Sequence, residues 1–582
     1  MNFKKVLILC LLIIASKFYT QNIVSAKIEI DDYANLHINQ KINFSIDTLR
    51  ISKDILIHSR YAKLLRNESQ NSISYMPKKI DSIFYTYSPP SKKSSSDYKI
   101  TNDFLFTTAE FLALSKKNYS QKKKFDLEFI SPKYKIVYPN SEDLKKSFKT
   151  TPPLIAGNFN NFFTDNFSFY YLSKDAEYEP KIKDISKDFK YIHDFYSSIL
   201  GENIKPKIFF LPIDEGDGLG GRTFENLIAF NTLFYIENAD KQIIAHELNH
   251  LWFGEDGLTF KNRRVTEGFA EFFALLYLQQ ADDKNYFNEV MRRKYYNSEG
   301  FSSSKTFFDK EKSGREDHRI SYELIPLYLF TKFKNNPKFL NLISEFYRIN
   351  KSKNKIDFDD FEIFLQSKNV DRVFNEKDIL PDFFITNYSE NEVAINFTSD
   401  KNINVEVEFT GEKGKIEVNQ ISFSKDKREK IINIKKINKI VIDPNYKILQ
   451  ISRINDVWNK SDTSLLNKNR YFTTEKINPK AIEISNEVIE FLQNKNKTEI
   501  SESIIKLTEN QRLDFQNLKN NFYNNTDIIF TGGVLRHSEN NKAINLKLAY
   551  FEKVGNKSKV IGIDLKTDLK ILENFRILNY DN

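Results

Sequence analysis

Residues 241–254, KQIIAHELNHLWFG, set two histidines and a glutamate into a segment whose apolar residues recur at helical spacing. Ile243, Ile244, Leu248, Leu251 and Trp252 form the stripe, which predicts a buried helix ending near Gly254. On that helix His246 and His250 lie one turn apart on one face. Two imidazoles so placed can hold one tetrahedral zinc through ring nitrogens. Glu247 falls about 100° around the helix from His246. That is too far round for an easy third ligand, but it is well placed to take a proton from a water on the metal.

A third ligand is at hand in a second apolar segment, TEGFAEFFALLYLQQ, opened by Glu267. Thr266 reads as its N-cap. Two antiparallel helices joined by residues 255–264 return Glu267 to the histidine pair. Two histidines, one carboxylate and an open fourth position make a catalytic rather than a structural zinc pattern.

These two runs carry a resemblance. HELNHLWFG followed by TEGFAEFFALLYL resembles the gluzincin zinc aminopeptidases, the aminopeptidase N-like peptidases of family M1. Sixteen residues separate His250 from Glu267, two fewer than is usual there, and Thr266 stands where Asn is usual. The shortening falls in the loop between helices, where deletions are absorbed most easily. The resemblance implies a thermolysin-like, mostly helical catalytic domain with one zinc ion. It implies His246, His250 and Glu267 as ligands and Glu247 as general base.

Two further roles come only from the resemblance. The family grips the free amino group of its substrate with the Glu of a GxMEN segment, and LGGRTFENLIAF lies at the matching place. One alignment makes Glu225 that anchor, at the cost of a gap before the following strand. The other has no gap and puts Thr223 there. Asp214, Glu215 and Asp217 are acidic alternatives nearby. The family also carries a tyrosine in a YEKG-like run whose hydroxyl stabilises the oxyanion. Ser321-Tyr322-Glu323 matches the start of that run, although Leu324 and Ile325 replace Lys and Gly. Glu271 and His318 are possible neighbours of the cleft.

Along the whole chain the reading is α+β and multidomain. Lys4 and Lys5 precede the apolar run Val6–Ala15, which reads as a signal peptide over about 1–20 and predicts export. The single cysteine, Cys10, lies inside that run, so the exported protein has no disulfide. Residues 21–145 alternate apolar and polar, clearest at Phe125, Leu127 and Phe129, and predict an antiparallel β domain with a loop at Pro89-Pro90. The catalytic domain follows over 146–380; its helix near 181–202 carries His193 as a packing residue. Residues 381–455 predict a small β sandwich. Residues 470–582 predict helices, at 481–494 and 501–521, and then a strand meander, an NTF2-like or cystatin-like α+β domain outside the family's usual plan.

The net charge is +9, but the lysines are spread evenly and no basic cluster interleaves with aromatics, which argues against a nucleic-acid partner. No later run is long and apolar enough to span a membrane. The implied substrate is a peptide. An endopeptidase or other zinc hydrolase without an amine anchor, and a binding protein on the same fold, stay open. The C-terminal domain could hold a protein partner or act as a lid.

Overall fold

The structure is a computed structural model. It describes residues 23–579 apart from internal stretches, the longer of which are 89–97, 213–219, 232–239, 301–314 and 467–477. The N-terminal apolar run with Cys10, the Pro89-Pro90 loop, and Asp214, Glu215 and Asp217 lie outside the described residues. The chain divides into two compact units, Met1–Lys261 with Ser344–Ile356, and Asn262–Ile343 with Asp357–Asn582.

The first unit begins in sheets. Ile23–Ile30, Leu36–Lys41, Ser82–Tyr87, Lys123–Ile130 and Ser147–Phe148 form one of five strands, with Ile28, Ile30, Leu36 and Ile38 turned into the core. It is not wholly antiparallel: Ile23–Ile30 runs parallel to Lys123–Ile130. The alternation of each strand is visible in sequence, but nothing local orients two strands so far apart in the chain. Two smaller sheets complete this layer, and one of them takes in Leu154–Gly157 beyond residue 146.

A five-stranded mixed sheet follows. Its strands are β1 (Phe159–Phe163), β2 (Ser168–Leu172), β3 (Lys207–Leu211), β4 (Gly221–Phe224) and β5 (Leu227–Asn231), in the order β1-β2-β3-β5-β4. β4 is an edge strand, antiparallel to β5. Helix α1 (Glu179–Leu200) buries Ile182, Ile185, Phe189, Ile192, His193, Tyr196 and Leu200 along one stripe. His193 packs its ring on Phe167 and Trp252. Tyr196 donates to the Ala245 carbonyl at 2.9 Å, which ties α1 to helix α2 (Lys241–Asn249).

The second unit is built on helix α3 (Arg263–Gln280), almost continuously buried from Arg264 to Leu276. Helix α4 (Lys284–Ser298) follows, and then a π-helical turn over Ile320–Leu324 that runs into helix α5 (Ile325–Phe333). Gly268 is where α3 meets α5: a Cβ there would come within 2.3 Å of Ile325 Cγ2. Next comes a sandwich of a three-stranded and a four-stranded sheet around Phe383, Ile395, Val405, Val407, Ile440 and Ile442.

The C-terminal part packs helices α6 (Pro479–Gln493) and α7 (Glu509–Tyr523) on an antiparallel meander. The meander strands are β6 (Ile528–Ser538), β7 (Ala543–Glu552), β8 (Lys557–Thr567) and β9 (Leu572–Asn579). α7 starts later than the sequence pattern suggests, because the Ser501 amide is held by Glu487 in a turn. Lys547 of β7 is buried; it donates to the Tyr296 carbonyl and lies over the Tyr296 ring, joining the meander to α4. Among the described residues no helix is long and apolar enough to cross a membrane.

Candidate active site

α2 starts at Asp240, whose side chain accepts from the Gln242 and Ile243 amides. The helix closes at Asn249, earlier than the apolar stripe implies, and residues 250–253 continue as tight turns on the Leu248 and Asn249 carbonyls. The apolar stripe persists through those turns, with Leu251, Trp252 and Phe253 fully buried. His250 Nδ1 lies 2.9 Å from the Phe253 carbonyl, a contact that favours the proton on Nδ1. That leaves the Nε2 lone pair of His250 facing His246 Nε2, 3.1 Å away, with the two rings nearly perpendicular.

Glu247 is buried at 8 % exposure beside the edge strand β4. Thr223 Oγ1 lies 2.8 Å from both the Glu247 carbonyl and its Oε2, so one hydroxyl proton is shared between backbone and carboxylate. Gly221, on the same face of the strand, permits this approach, since a Cβ there would come within 2.7 Å of Glu247 Cγ.

The third candidate ligand, Glu267, sits on α3. The cap is Asn262, whose side chain accepts the Arg264 amide, and not Thr266. Asn caps at least as well as Thr, so the helix begins a turn earlier and Glu267 stands in its second turn. Glu267 Oε2 accepts from the Tyr322 hydroxyl at 2.9 Å, and its Oε1 from Arg263 Nε at 3.1 Å.

Tyr322 lies in the π turn, closed by the Ile325 amide on the Ile320 carbonyl. π turns recur at functional sites. Lys294 holds this one: its Nζ lies 2.7 Å from the Tyr322 carbonyl, 2.6 Å from Glu271 Oε1 and 3.4 Å from Glu323 Oε2. Lys294 and Glu271 are both 2 % exposed, so Glu271 is a buried partner and not a solvated group. The His318 ring packs at 4.5 Å on that of Tyr322.

His246, His250 and Glu267 bring one ligand atom each to within 4.8 Å of one another. A four-coordinate zinc with bonds near 2.0–2.1 Å needs ligand atoms about 3.4 Å apart, and the two imidazole nitrogens fit that span. Two neutral imidazoles and a carboxylate are also a zinc donor set.

Glu225 has another setting. β4 ends at Phe224, so Glu225 falls in the turn that follows, where Asn226 takes a φ of 61°. Its buried carboxylate accepts the Lys149 amide at 2.8 and 3.0 Å. The strand residue whose side chain meets Glu247 is Thr223, the one the ungapped alignment selects. Two residues of the site escaped the sequence reading, Arg263 and Lys294. Lys294 could have been found: it follows Val290 and Met291 on the buried stripe of α4, an odd place for a lysine.

No family model matches the chain, and no curated protein matches it by sequence. The fold does have solved likenesses. The crystal structure of Legionella pneumophila aminopeptidase A in complex with aspartic acid is similar over 83 % of this chain, with a TM-score of 0.53 and 12 % sequence identity. The chain spans 65 % of that structure's length.

Proposed function

We propose that this chain is an exported zinc peptidase, with His246, His250 and Glu267 as the ligands and a peptide as the substrate. The observation that carries the reading is the convergence of those three side chains, with Glu247 held between the two histidines in sequence. When bound, the ion supplies Lewis-acid chemistry, acidifying water and polarising a carbonyl. Glu247 takes the proton of the attacking water and later hands it to the leaving amine. Thr223 orients that carboxylate by its hydrogen bond, so the base is positioned before substrate arrives. Tyr322 offers a phenol donor to the developing oxyanion, and Lys294 and His318 support its backbone and ring.

Aminopeptidase action is the first reading, supported by the likeness in fold and by the resemblance of the two zinc-helix runs. A second reading has its own support: Glu225 is engaged by the Lys149 amide, and a threonine stands beside Glu247. An enzyme so arranged need not grip a free ammonium, and it would cleave within chains. The test is a panel of aminoacyl amides beside N-acetylated peptides, run on the zinc-loaded protein and on Glu247→Gln. Turnover of free-amine substrates alone, lost in the variant, supports aminopeptidase action. Turnover of blocked peptides moves the reading to an endopeptidase. No turnover with zinc bound would sink both.

A further inference from the structure

α3 begins with two arginines that meet different fates. Arg264 turns inward, its side chain 9 % exposed, and pairs with Asp317. Arg263 stays outside with 84 % of its side chain exposed, yet its Nε reaches Glu267 Oε1 at 3.1 Å. A guanidinium carries five N–H groups in one plane. Glu267 uses the one on Nε, and no contact among the described residues takes the two terminal nitrogens of this mostly exposed side chain.

The i,i+4 pair of Arg263 with Glu267 lends the helix only slight support at so exposed a side chain. Arg263 is the first residue of α3, where the positive end of the helix disfavours it. Nor does Glu267 need it for a partner, since the Tyr322 hydroxyl already serves Oε2. What the position provides is a fork tethered through Nε one helical turn from a candidate metal ligand. A planar fork is the geometry that takes a carboxylate through two parallel hydrogen bonds.

We propose that Arg263 is a specificity-determining residue whose outer fork binds a carboxylate of the substrate. The inference rests on the peptidase reading and deepens it: the favoured substrates are peptides with a carboxylate close to the scissile bond. Glu267 is a candidate metal ligand and holds Arg263 Nε at 3.1 Å, so the carboxylate the fork would meet belongs to a residue flanking a bond cleaved at the metal. The carboxylate has two sources, an Asp or Glu side chain or the free C-terminus of a dipeptide.

The test compares the zinc-loaded full chain with Arg263→Gln and Arg263→Lys. Three matched pairs separate the sources: peptide amides with Glu or Gln before the cleaved bond, the same pair after it, and neutral dipeptides with free or amidated C-termini. Arg263→Gln should lower the kcat/KM ratio within the relevant pair about ten- to a hundredfold, the worth of a hydrogen bond to a charged group, and Arg263→Lys should lower it less. A second arm needs no turnover. Metal-free protein is titrated calorimetrically with a Glu-containing peptide amide whose scissile bond is reduced, and with a reduced-bond dipeptide acid. Weaker binding of either to Arg263→Gln, with zinc affinity retained, supports the proposal. Unchanged ratios and unchanged peptide binding overturn it, as does a fall in zinc affinity alone, which would assign Arg263 to Glu267. If neither protein turns anything over, the peptidase reading fails, and the calorimetric arm still decides whether Arg263 binds carboxylates.

Discussion

His246, His250 and Glu267 form one gathering of titratable side chains in this chain, and Arg453, Asp443 and Asp456 form another. In the second, the cation belongs to the fold. The Arg453 side chain is completely buried, pairs with Asp443 and Asp456 and lies over the rings of Tyr295 and Tyr446. Its amide binds Glu299 at the end of α4. One guanidinium serves two carboxylates inside the cluster, and its role is to join the sandwich to the helices. In the first, two imidazole nitrogens and a carboxylate converge, and the cation paired with that carboxylate, Arg263, stands mostly in solvent. Carboxylates matched from within serve architecture, whereas donors that converge with only a solvent-exposed cation beside them are ready for one from outside.

Five experiments would break or sharpen that contrast. The largest effect expected is on turnover: Glu247→Gln should cost up to about 10⁴-fold in kcat, the upper range for a positioned general base, with zinc content unchanged. Arg453→Met should show the architectural side. It leaves two buried carboxylates unpaired and should destabilise the fold by about 3–5 kcal/mol in urea unfolding. An equally large loss for metal-free His250→Ala would erase the distinction between the clusters. Tyr322→Phe should lower kcat by about 10²–10³-fold, as loss of an oxyanion donor does, while KM moves little; a pure KM effect would make the tyrosine a packing residue. Free zinc at a hundred times its Kd should stabilise the protein by about 2.7 kcal/mol, read as a rise in Tm that His250→Ala abolishes.

The last effect is one of pH. Asp382 is buried beside the Arg453 cluster, accepting from the Ser452 amide and Asn455, and burial pushes its carboxyl up to about 8. The folded chain then keeps this proton while the unfolded chain releases it in the ordinary aspartate range. Its contribution is complete below that range and drains away as pH rises toward about 8, by about 1.4 kcal/mol per pH unit. Asp382→Asn should flatten that slope between pH 5 and 8, and an unchanged slope would place its origin elsewhere.

Much of the candidate site could be read in the chain because its spacing is helical. His246 and Glu247 lie on α2, His250 caps it in a backbone conformation that is still helical, and Glu267 follows within one short connection. The helix ends were less legible. Asn262 outcompetes Thr266 as a cap, and the turns on the Leu248 and Asn249 carbonyls keep the apolar stripe going after α2 has closed. The parallel pairing of Ile23–Ile30 with Lys123–Ile130 has no local signal, since alternation says which face is buried and not which way a distant partner runs. Which of Glu225 and Thr223 meets Glu247 depends on where β4 stops, and no residue type marks that point. Arg263 reads in sequence as one of many dispersed cations. Its meaning comes from a neighbour one turn on, once the start of the helix is known.

The turn that carries Tyr322 bears on how such chains are compared. A π turn takes up one residue more than an α turn, so Ile320–Leu324 holds a residue that a regular helix would not contain. Deleting one residue there would leave a smoother helix with as many hydrogen bonds. It would also rotate whatever lies on one side of the deletion by about 100°, carrying the phenol away from Glu267. The position is therefore one where an insertion or a deletion would not be neutral. An alignment that closes a one-residue gap at 320–324 gains a match and moves the tyrosine to the wrong face.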